Sequence, residues 1–316
     1  MRFAWVGFHM EGVPALEALV HAGAPIEAVF TLEPALAARR SGAADYRALC
    51  RRLGLPLFEV RNINDDDAVA RLRDLAPDVL FVIGWSQILR PPALRAARLG
   101  AIGAHASALP RLRGSAPVNW TLIRGEPRAG NTLLWLSEDV DAGEIIDQVE
   151  FDVTPFDTCG TLYERVAESN RDMLLRLLPR LLASERPGRP QPPSTEPILP
   201  RRRPEHGCIA WDQPARAVYD FVRALTRPYP GAFSFLDGQR WTIWRATLLP
   251  SALAAHDAPG TVIGPAVSPA PEACGHVVAC GEGCIIVNEV EAADGMRLEG
   301  FALAQQPWQG RRWLDG

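Results

Sequence analysis

Short apolar runs alternate with amphipathic segments through the first 185 residues of the chain. Residues 3–7 and 79–83 are continuously apolar, a pattern typical of strands buried on both faces of a parallel sheet. Residues 67–75 instead carry apolar side chains at helical spacing. Repetition of this order predicts an α/β fold with a mostly parallel, twisted sheet and flanking helices. The other predicted strands are 26–32, 101–105, 132–136 and 144–153, and the other predicted helices are 14–20, 46–53 and 160–182.

The pattern changes after residue 186. Residues 187–204 hold seven prolines and almost no apolar periodicity, which predicts a semi-rigid linker. A predicted helix at 215–225 and several short, glycine-bounded strands follow, and these predict a small β-barrel of the OB type. The predicted domains are therefore 1–186, the linker 187–204, and 205–316. The predicted strands of the barrel are 232–236, 241–248, 260–263, 276–279, 285–290 and 298–303.

Composition narrows the classes of function. The chain of 316 residues is 47% hydrophobic and 22% charged, with a net charge of −4. All 33 basic residues are arginine, which excludes a P-loop lysine, a kinase lysine and a lysine Schiff base. Net acidity argues against a protein that binds nucleic acid along its phosphate backbone. Since the cysteines are sparse and neither a signal peptide nor a membrane span is evident, we expect a cytoplasmic protein.

Three short segments carry candidate chemistry. His105 ends a predicted strand, where open α/β sheets bind ligands, and a histidine there can act as a general base. Asp141 lies in a turn between two predicted strands, from which its carboxylate could orient that histidine. The apolar strand 79–83 leads into Gly84-Trp85, a loop that could hold a flat ring. Taken singly, each segment also fits a structural role: a core histidine, a turn aspartate bonded to its own backbone, and core packing of the tryptophan.

Two further motifs are weaker. The segment 274–284 contains three cysteines and His276, but its spacing differs from that of paired zinc ligands and fits two strands joined by a glycine turn, so we predict no metal. Residues 7–12 lack the Gly-x-Gly-x-x-Gly spacing of a dinucleotide site. His9 in that segment could approach the active face of the sheet.

Together the three segments resemble the formyltransferase family that uses 10-formyltetrahydrofolate. The family motif Asn-x-His-x-Ser-x-Leu-Pro is matched at His105, Ser107, Leu109 and Pro110, and an Asp-x-Gly turn follows at 141–143. The resemblance extends over nearly the whole chain and is closest to the branch that formylates amino sugars. Its other segments are 6–12, Arg113-Gly114-Ser115-Ala116-Pro117, Asn119-Trp120, 202–204, Trp211, 223–225 and 228–234.

The resemblance implies a role for each matched residue. His105 and Asp141 would be the catalytic pair while a primary amine attacks the formyl carbon of the co-substrate, 10-formyltetrahydrofolate. Ser107 and Asn119 would support that pair. The folate pocket would be lined by Ile83, Gly84, Trp85, Gln87, Ile88, Leu89 and Asp139, and the substrate loop would contain Arg113, Gly114 and Pro117.

One motif position departs from the family. The asparagine that donates to the formyl oxygen corresponds here to Gly103, and loss of one such donor typically costs about 3–4 kcal/mol of transition-state stabilisation. Three alternatives stay open. In the first, a backbone N–H, a water or Asn119 replaces the donor in an active formyltransferase. In the second, the site takes another one-carbon or acyl donor, or a bulkier substrate in the space at Gly103. In the third, the chain is a degenerate folate-binding protein. Retention of His105 and Asp141 favours the first two.

Charge and resemblance together predict the acceptor. Methionyl-tRNA formyltransferase is similar, but a tRNA acceptor needs a cationic surface, and this chain is acidic and lacks lysine. Arg201-Arg202-Arg203 fits a role at the domain junction better than a track for tRNA. We therefore expect a nucleotide-linked amino sugar first, and an amino acid or peptide amine of a natural-product pathway second. We expect no membrane or nucleic-acid partner, and the resemblance is compatible with a homodimer.

Overall fold

Strands and helices alternate from residue 3 to residue 182 in the computed structural model, which describes residues 1–250 and 257–315. The continuous apolar runs form the central strands because a strand covered on both faces needs apolar side chains in both directions. The strands are β1 (Phe3–Val6), β2 (Ile26–Leu32), β3 (Leu57–Val60), β4 (Val79–Val82), β5 (Gly100–His105), β6 (Arg128–Trp135) and β7 (Ile145–Asp152). The helices are α1 (Val13–His21), α2 (Pro34–Ala37), α3 (Tyr46–Leu53), α4 (Asp66–Leu75), α5 (Pro91–Leu94), α6 (Pro117–Ile123) and α7 (Cys159–Leu182).

The first seven strands form one sheet in the order β3-β2-β1-β4-β5-β6-β7. The strands from β1 to β5 pair in parallel, and β6 and β7 are antiparallel to their neighbours. Strand order reverses direction between β1 and β4, so the carboxyl ends of β1, β4 and β5 lie side by side at one edge of the sheet. Open α/β sheets bind their ligands at such a switch point. The predicted α/β fold with a mostly parallel sheet is confirmed.

Two hydrophobic cores cover the two faces of this sheet. Alternation along β1 sends Phe3 and Trp5 to one face, where they pack with apolar residues of α1, α3 and α7. It sends Ala4 and Val6 to the other face, where they pack with apolar residues of α4. Burial on both faces holds the carboxyl edge of β1 in a fixed position beside β4.

A second sheet lies in the C-terminal part of the chain. Its strands are β8 (Ala232–Leu236), β9 (Gln239–Leu248), β10 (Val262–Ala266), β11 (Gly275–Ala279), β12 (Cys284–Ala292), β13 (Arg297–Glu299) and β14 (Trp313–Leu314), accompanied by α8 (Ala215–Leu225) and α9 (Gly300–Ala304). The order is β10-β11-β12-β9-β8-β14, with β13 beside β12 and all pairs antiparallel. An isolated bridge between Thr261 and Arg312 brings the two outer edges together. The sheet therefore curls into a half-barrel, which confirms the predicted C-terminal domain of barrel character; its OB type stays a prediction.

One predicted strand is wrong. Residues 298–303 were expected to form a single strand, but β13 ends at Glu299 and the chain enters α9 at Gly300. Gly300 has φ of +55°, a left-handed conformation that glycine adopts without strain, so the alternating apolar pattern is interrupted there. The sequence pattern also predicted neither the strands β3 and β14 nor the short helices α2, α5 and α6.

The chain divides into two compact units. Unit 1 comprises residues 1–117, 128–153 and 161–200, and unit 2 comprises residues 118–127, 154–160 and 201–316. Much of the proline-rich segment therefore belongs to unit 1. We call residues 187–200 the strap. Its Leu199 pairs with Gly114 and its Arg189 with Ile145, both in unit 1. The domain limits 1–186 and 205–316 stay a prediction.

Candidate functional site

His105 is the last residue of β5 and is 8% exposed at the carboxyl edge of the first sheet. Its Nε2 lies 2.8 Å from the carbonyl oxygen of Leu112. Because a carbonyl can only accept, we assign the proton of the neutral ring to Nε2, which leaves the lone pair on Nδ1. Leu112 has φ of +56°, which is uncommon for leucine. In this conformation its carbonyl points back to the His105 ring.

Asp141 faces the free nitrogen of that ring. Its Oδ2 lies 3.5 Å from His105 Nδ1 and accepts a hydrogen bond of 2.8 Å from the backbone N–H of Gly114. The turn that carries Asp141 requires glycine at position 143, since a Cβ there would lie 1.7 Å from the carbonyl oxygen of Trp135. The structure thus brings together the two predicted catalytic residues, 36 positions apart in the chain. The side chains of His105 and Asp141 are only 9% and 18% exposed, so their interaction is weakly screened by solvent.

Side chains of β6 and β7 hold the loop that follows His105. Thr132 Oγ1 donates to the carbonyl of Ser107 at 2.6 Å and accepts from the N–H of Leu109 at 3.1 Å. Gln148 Nε2 donates to the carbonyl of Leu109 at 2.9 Å. Ser107 itself donates to the carbonyl of Arg111 at 2.7 Å. Ser107 therefore supports the loop rather than the ring, and sequence reasoning missed Thr132 and Gln148 because no local motif marks them.

The loop after β4 joins the loop after β1. The carbonyl of Gly84 accepts from the backbone N–H groups of Phe8 and His9, each at 3.2 Å. Gln87 donates to the carbonyl of Arg61 and accepts from the N–H of Ile63, at 2.8 and 3.0 Å. These bonds fix the predicted folate loop as an extension of the sheet edge.

The seven predicted folate-pocket residues differ in exposure. The side chains of Ile83 and Leu89 lie in the hydrophobic core, which leaves only their main chain for a ligand. Trp85 is half-buried and packs edge to face on Phe8, with ring centroids 5.9 Å apart. Ile88 is 68% exposed, and Asp139 is also exposed.

The predicted substrate loop is tied to the strap. Arg113 donates to Gln191 Oε1 at 2.7 Å. Gly114 has φ of +110°, and a Cβ there would lie 2.5 Å from the carbonyl oxygen of Leu199. Pro117 is buried at the start of α6. The motif Arg-Gly-x-Ala-Pro thus shapes a tight loop under the strap.

Asn119 does not supply the missing donor. It is fully buried in unit 2, where its side-chain Nδ2 donates to the carbonyl of Ala224 at 2.6 Å. That bond uses one of the two hydrogens of the amide that the sequence offered as a replacement for the family asparagine, and complete burial keeps the other from a ligand. Asn119 therefore serves the packing of unit 2.

Gly103 lies two residues before His105 on β5, and Leu136 fills the space beside it. A Cβ on Gly103 would lie 2.5 Å from Leu136 Cδ2 and 3.1 Å from Leu136 Cγ. The expectation that Gly103 leaves room for a bulkier substrate is therefore wrong. The absent side chain is replaced by an apolar one that reaches in from the end of β6.

His9 and Glu11 form a second titratable pair in the loop after β1. Their Nδ1 and Oε2 atoms lie 3.7 Å apart, and the N–H of Glu11 donates to His9 Nδ1 at 3.3 Å. Burial lowers the pKa of His9 to about 4 and raises the pKa of Glu11 to about 7. Around pH 6 both groups are uncharged, so this contact is polar rather than ionic.

Two global features concern ions and membranes. Among residues 1–250 and 257–315, no group of three or more His, Cys, Asp or Glu side chains is placed to hold a metal ion. No helix in the same ranges combines the length and the apolar character needed to cross a bilayer.

Two family models match this chain. The model described as formyl transferase matches residues 18–178, and the model described as formyl transferase, C-terminal domain, matches residues 202–307. Together they cover β2 to β7 of the first sheet and β8 to β13 of the second. The residues of the histidine–aspartate pair lie within the first match.

Solved structures share the fold at low sequence identity. HypX from Aquifex aeolicus, solved with tetrahydrofolic acid, has a TM-score of 0.65 and 18% identity over 95% of this chain and 46% of HypX. An N-formyltransferase from Helicobacter canadensis, solved with folinic acid and dTDP-3-aminofucose, has a TM-score of 0.66 and 15% identity over 91% of this chain and 98% of its own. Methionyl-tRNA formyltransferase from Clostridium thermocellum has a TM-score of 0.58 and 17% identity over 79% of this chain and 94% of its own. This chain spans about half the length of HypX.

Proposed function

This chain belongs to the formyltransferase family, and we propose that it transfers a formyl group to the primary amine of a nucleotide-linked amino sugar. In this proposal it is a folate-dependent formyltransferase with 10-formyltetrahydrofolate as its co-substrate. The observation that carries the proposal is the pairing of His105 with Asp141 at the carboxyl edge of β5.

In this proposal, His105 Nδ1 takes the proton that the acceptor amine loses. Transfer forms a bond between the amine nitrogen and the formyl carbon, and breaks the bond between that carbon and N10 of the folate. One proton must therefore pass from the amine to N10. Nδ1 carries a lone pair because Nε2–H is held by the carbonyl of Leu112. Asp141, 3.5 Å away, stabilises the imidazolium that forms and thereby favours the transfer.

The formyl oxygen needs a donor that is not a side chain at position 103. Gly103 has none, Leu136 occupies the adjacent space, and the amide of Asn119 is bonded to Ala224. We infer that a main-chain N–H or a bound water polarises the formyl carbonyl. An apolar neighbour such as Leu136 would strengthen that interaction because it lowers the local dielectric constant.

Charge and fold support a small acceptor. The chain has a net charge of −4 and no lysine, which disfavours contact with the many phosphates of a tRNA. The Helicobacter canadensis enzyme, described with an amino-sugar nucleotide, matches almost its full length. WlaRD, described as a sugar 3N-formyltransferase, matches 94% of this chain with a TM-score of 0.61. An amine on an amino acid or peptide is the second candidate.

A turnover assay with a panel of amines tests the proposal. The purified chain is supplied with 10-formyltetrahydrofolate and with dTDP- and UDP-linked amino sugars, amino acids, short peptides or methionyl-tRNA. We expect tetrahydrofolate release and an N-formyl product with an amino-sugar nucleotide, and none with tRNA. Product with an amino acid or peptide alone would select the second acceptor. Folate binding without release for every amine would identify a binding protein and overturn the proposal.

A further inference from the structure

The strap makes repeated contacts with the loops that carry the catalytic pair. The carbonyl of Pro187 accepts from Trp135 Nε1 at 2.6 Å, and Arg189 exchanges two backbone hydrogen bonds with Ile145, at 2.8 and 2.9 Å. Farther along, Leu199 donates to the carbonyl of Arg113 at 2.7 Å and accepts from Ser115 at 3.1 Å. The strap is thus joined to both sides of the Asp141 turn and to the loop that follows His105.

Gln191 lies at the centre of these contacts. Its Nε2 donates to the carbonyls of Asp141 and Gly143, each at 2.8 Å, and its Oε1 accepts from Arg113 at 2.7 Å. An amide nitrogen has two hydrogens, and both are used here. Only the amide nitrogen can donate to the two carbonyls, and only the amide oxygen can accept from the guanidinium of Arg113. The orientation of the Gln191 amide is therefore fixed.

The backbone from Asp141 to Gly143 is held by one side chain, that of Gln191. Asp141 has φ of +51°, a left-handed conformation that is uncommon outside glycine and that aspartate tolerates better than most residues. Gln191 links the carbonyl of Asp141 to that of Gly143 and so closes the turn. The carboxylate of Asp141 is then held 3.5 Å from His105 Nδ1.

A second strap residue contacts the other partner of the ring. Glu196 accepts from the N–H of Leu112 at 3.2 Å, and the carbonyl of Leu112 is the group that holds His105 Nε2. The strap therefore contacts both the residue that faces Nδ1 and the residue that faces Nε2.

We propose that the strap is a positioning element of the catalytic pair and that Gln191 is its principal positioning residue, acting through Asp141. This inference rests on the proposed roles of His105 and Asp141. Gln191 is not placed to react with substrate, so its removal should lower kcat through misplacement of the carboxylate and leave the KM for folate nearly unchanged. Misplacement by about 1 Å can cost about a hundredfold in rate.

Two variants separate the contacts of Gln191. Gln191→Met keeps the length of the side chain and removes all three hydrogen bonds. Gln191→Glu keeps an acceptor for Arg113 but sets an oxygen against the carbonyls of Asp141 and Gly143. We expect kcat to fall about tenfold or more in both, with KM for folate within about twofold. Thr195→Ala, an exposed change on the same strap, is the matched control and should match the wild type.

A double-mutant comparison distinguishes positioning from a general structural role. In an Asp141→Asn background, Gln191→Met should lower kcat by less than about twofold, since residues that act as a unit are not additive. An equal loss in both backgrounds would overturn the inference. So would full activity of either Gln191 variant, or a loss confined to the affinity for folate.

Nitrogen NMR of the His105 ring is a measurement that needs no amine substrate, and it therefore does not depend on the proposed function. In the wild type, Nε2 should carry the proton and Nδ1 should not. Gln191→Met should move the Nδ1 resonance, because Asp141 no longer lies in a fixed place beside it, and Thr195→Ala should not. An unchanged Nδ1 resonance in Gln191→Met would overturn the inference even in a chain that formylates nothing.

Discussion

His105 Nε2 and the carbonyl oxygen of Leu112 are 2.8 Å apart, and this contact determines which nitrogen of the ring is free. A histidine at a strand end can present either nitrogen to a substrate. Here the loop after His105 folds back so that the carbonyl of Leu112 binds Nε2. Only Nδ1, beside Asp141, is then left to exchange a proton.

Removal of the ring should abolish turnover and leave folate bound. His105→Ala is expected to lower kcat by about 100-fold or more, the usual contribution of a positioned general base. Asp141→Asn should also lower kcat by about 100-fold or more, because the charge that stabilises the imidazolium is lost and the new amide can donate to Nδ1 and occupy its lone pair. Asp67→Asn, an exposed change on α4, is the control. Steady-state rates and equilibrium binding of folate measure both effects, and normal turnover by His105→Ala would contradict the proposed mechanism.

Gly103 and Leu136 should behave as a coupled pair. Gly103→Asn introduces a Cβ that would lie 2.5 Å from Leu136 Cδ2, so it should destabilise the fold by about 1–3 kcal/mol. Leu136→Ala should cost about 2 kcal/mol by itself, but the double variant should be more stable than the sum of the two losses predicts.

Denaturant unfolding of the three variants tests this coupling. Strictly additive losses would show that Leu136 does not occupy the space of the missing side chain. The kcat of the double variant, compared with that of Leu136→Ala, shows whether an amide at position 103 reaches the formyl oxygen.

Glu11 should make stability depend on pH. Burial raises the pKa of its carboxyl to about 7, so its contribution to stability is complete below the unfolded pKa of 4.5 and is lost as pH rises through 7. The free energy of unfolding of wild type relative to Glu11→Gln should therefore fall with rising pH, by roughly 3 kcal/mol between pH 4.5 and pH 8. His9 acts in the opposite direction, losing stability as pH falls from 6.5 towards 4, but it is present in both proteins. Unfolding curves at several pH values measure the difference, and a constant difference would contradict the prediction.

Two arginines on α8 should differ in their contribution to stability although both bind Asp220. Arg223 Nε lies 2.7 Å from Asp220 Oδ1, and both side chains are less than 5% exposed. Arg223 also donates to the carbonyls of Thr154 and Asp157, at 2.9 and 2.8 Å. Arg223→Met should cost about 3–5 kcal/mol, because it removes the buried partner of a buried carboxylate and leaves that carboxylate only the exposed Arg216. Arg216, 52% exposed, is the matched control, and Arg216→Met should cost less than about 1 kcal/mol. Equal losses in thermal unfolding would count against this account.

Local periodicity predicted most of the fold. The strands at 26–32 and 232–236 and the helices at 46–53 and 215–225 have the bounds that their patterns gave, because each is a continuous apolar or amphipathic segment. The failure at 298–303 has a local cause: apolar alternation continues past Gly300, but the left-handed backbone there turns the chain into a helix. β3 was missed because only one of its four residues is fully buried.

The candidate site was predictable only where a motif carried it. His105 and Asp141 were singled out by their positions and given the role of a catalytic pair by resemblance, and the structure places them 3.5 Å apart. Gln191, Thr132 and Gln148 act through backbone groups that are distant in sequence, and such contacts leave no local pattern. The prolines of the strap predicted a linker since they rule out helix and interior strand. An extended chain with few free N–H groups can still lie along a domain and bind it through side chains such as Gln191.

The engagement of His105 Nε2 by Leu112 also bears on inhibitor chemistry. A compound that must accept a hydrogen bond from this imidazole finds its only N–H already committed to the protein backbone. A compound that instead presents an N–H or O–H to Nδ1 meets two acceptors, the lone pair of that nitrogen and the Asp141 carboxylate 3.5 Å from it. Compounds of that second kind should be selected from a screen.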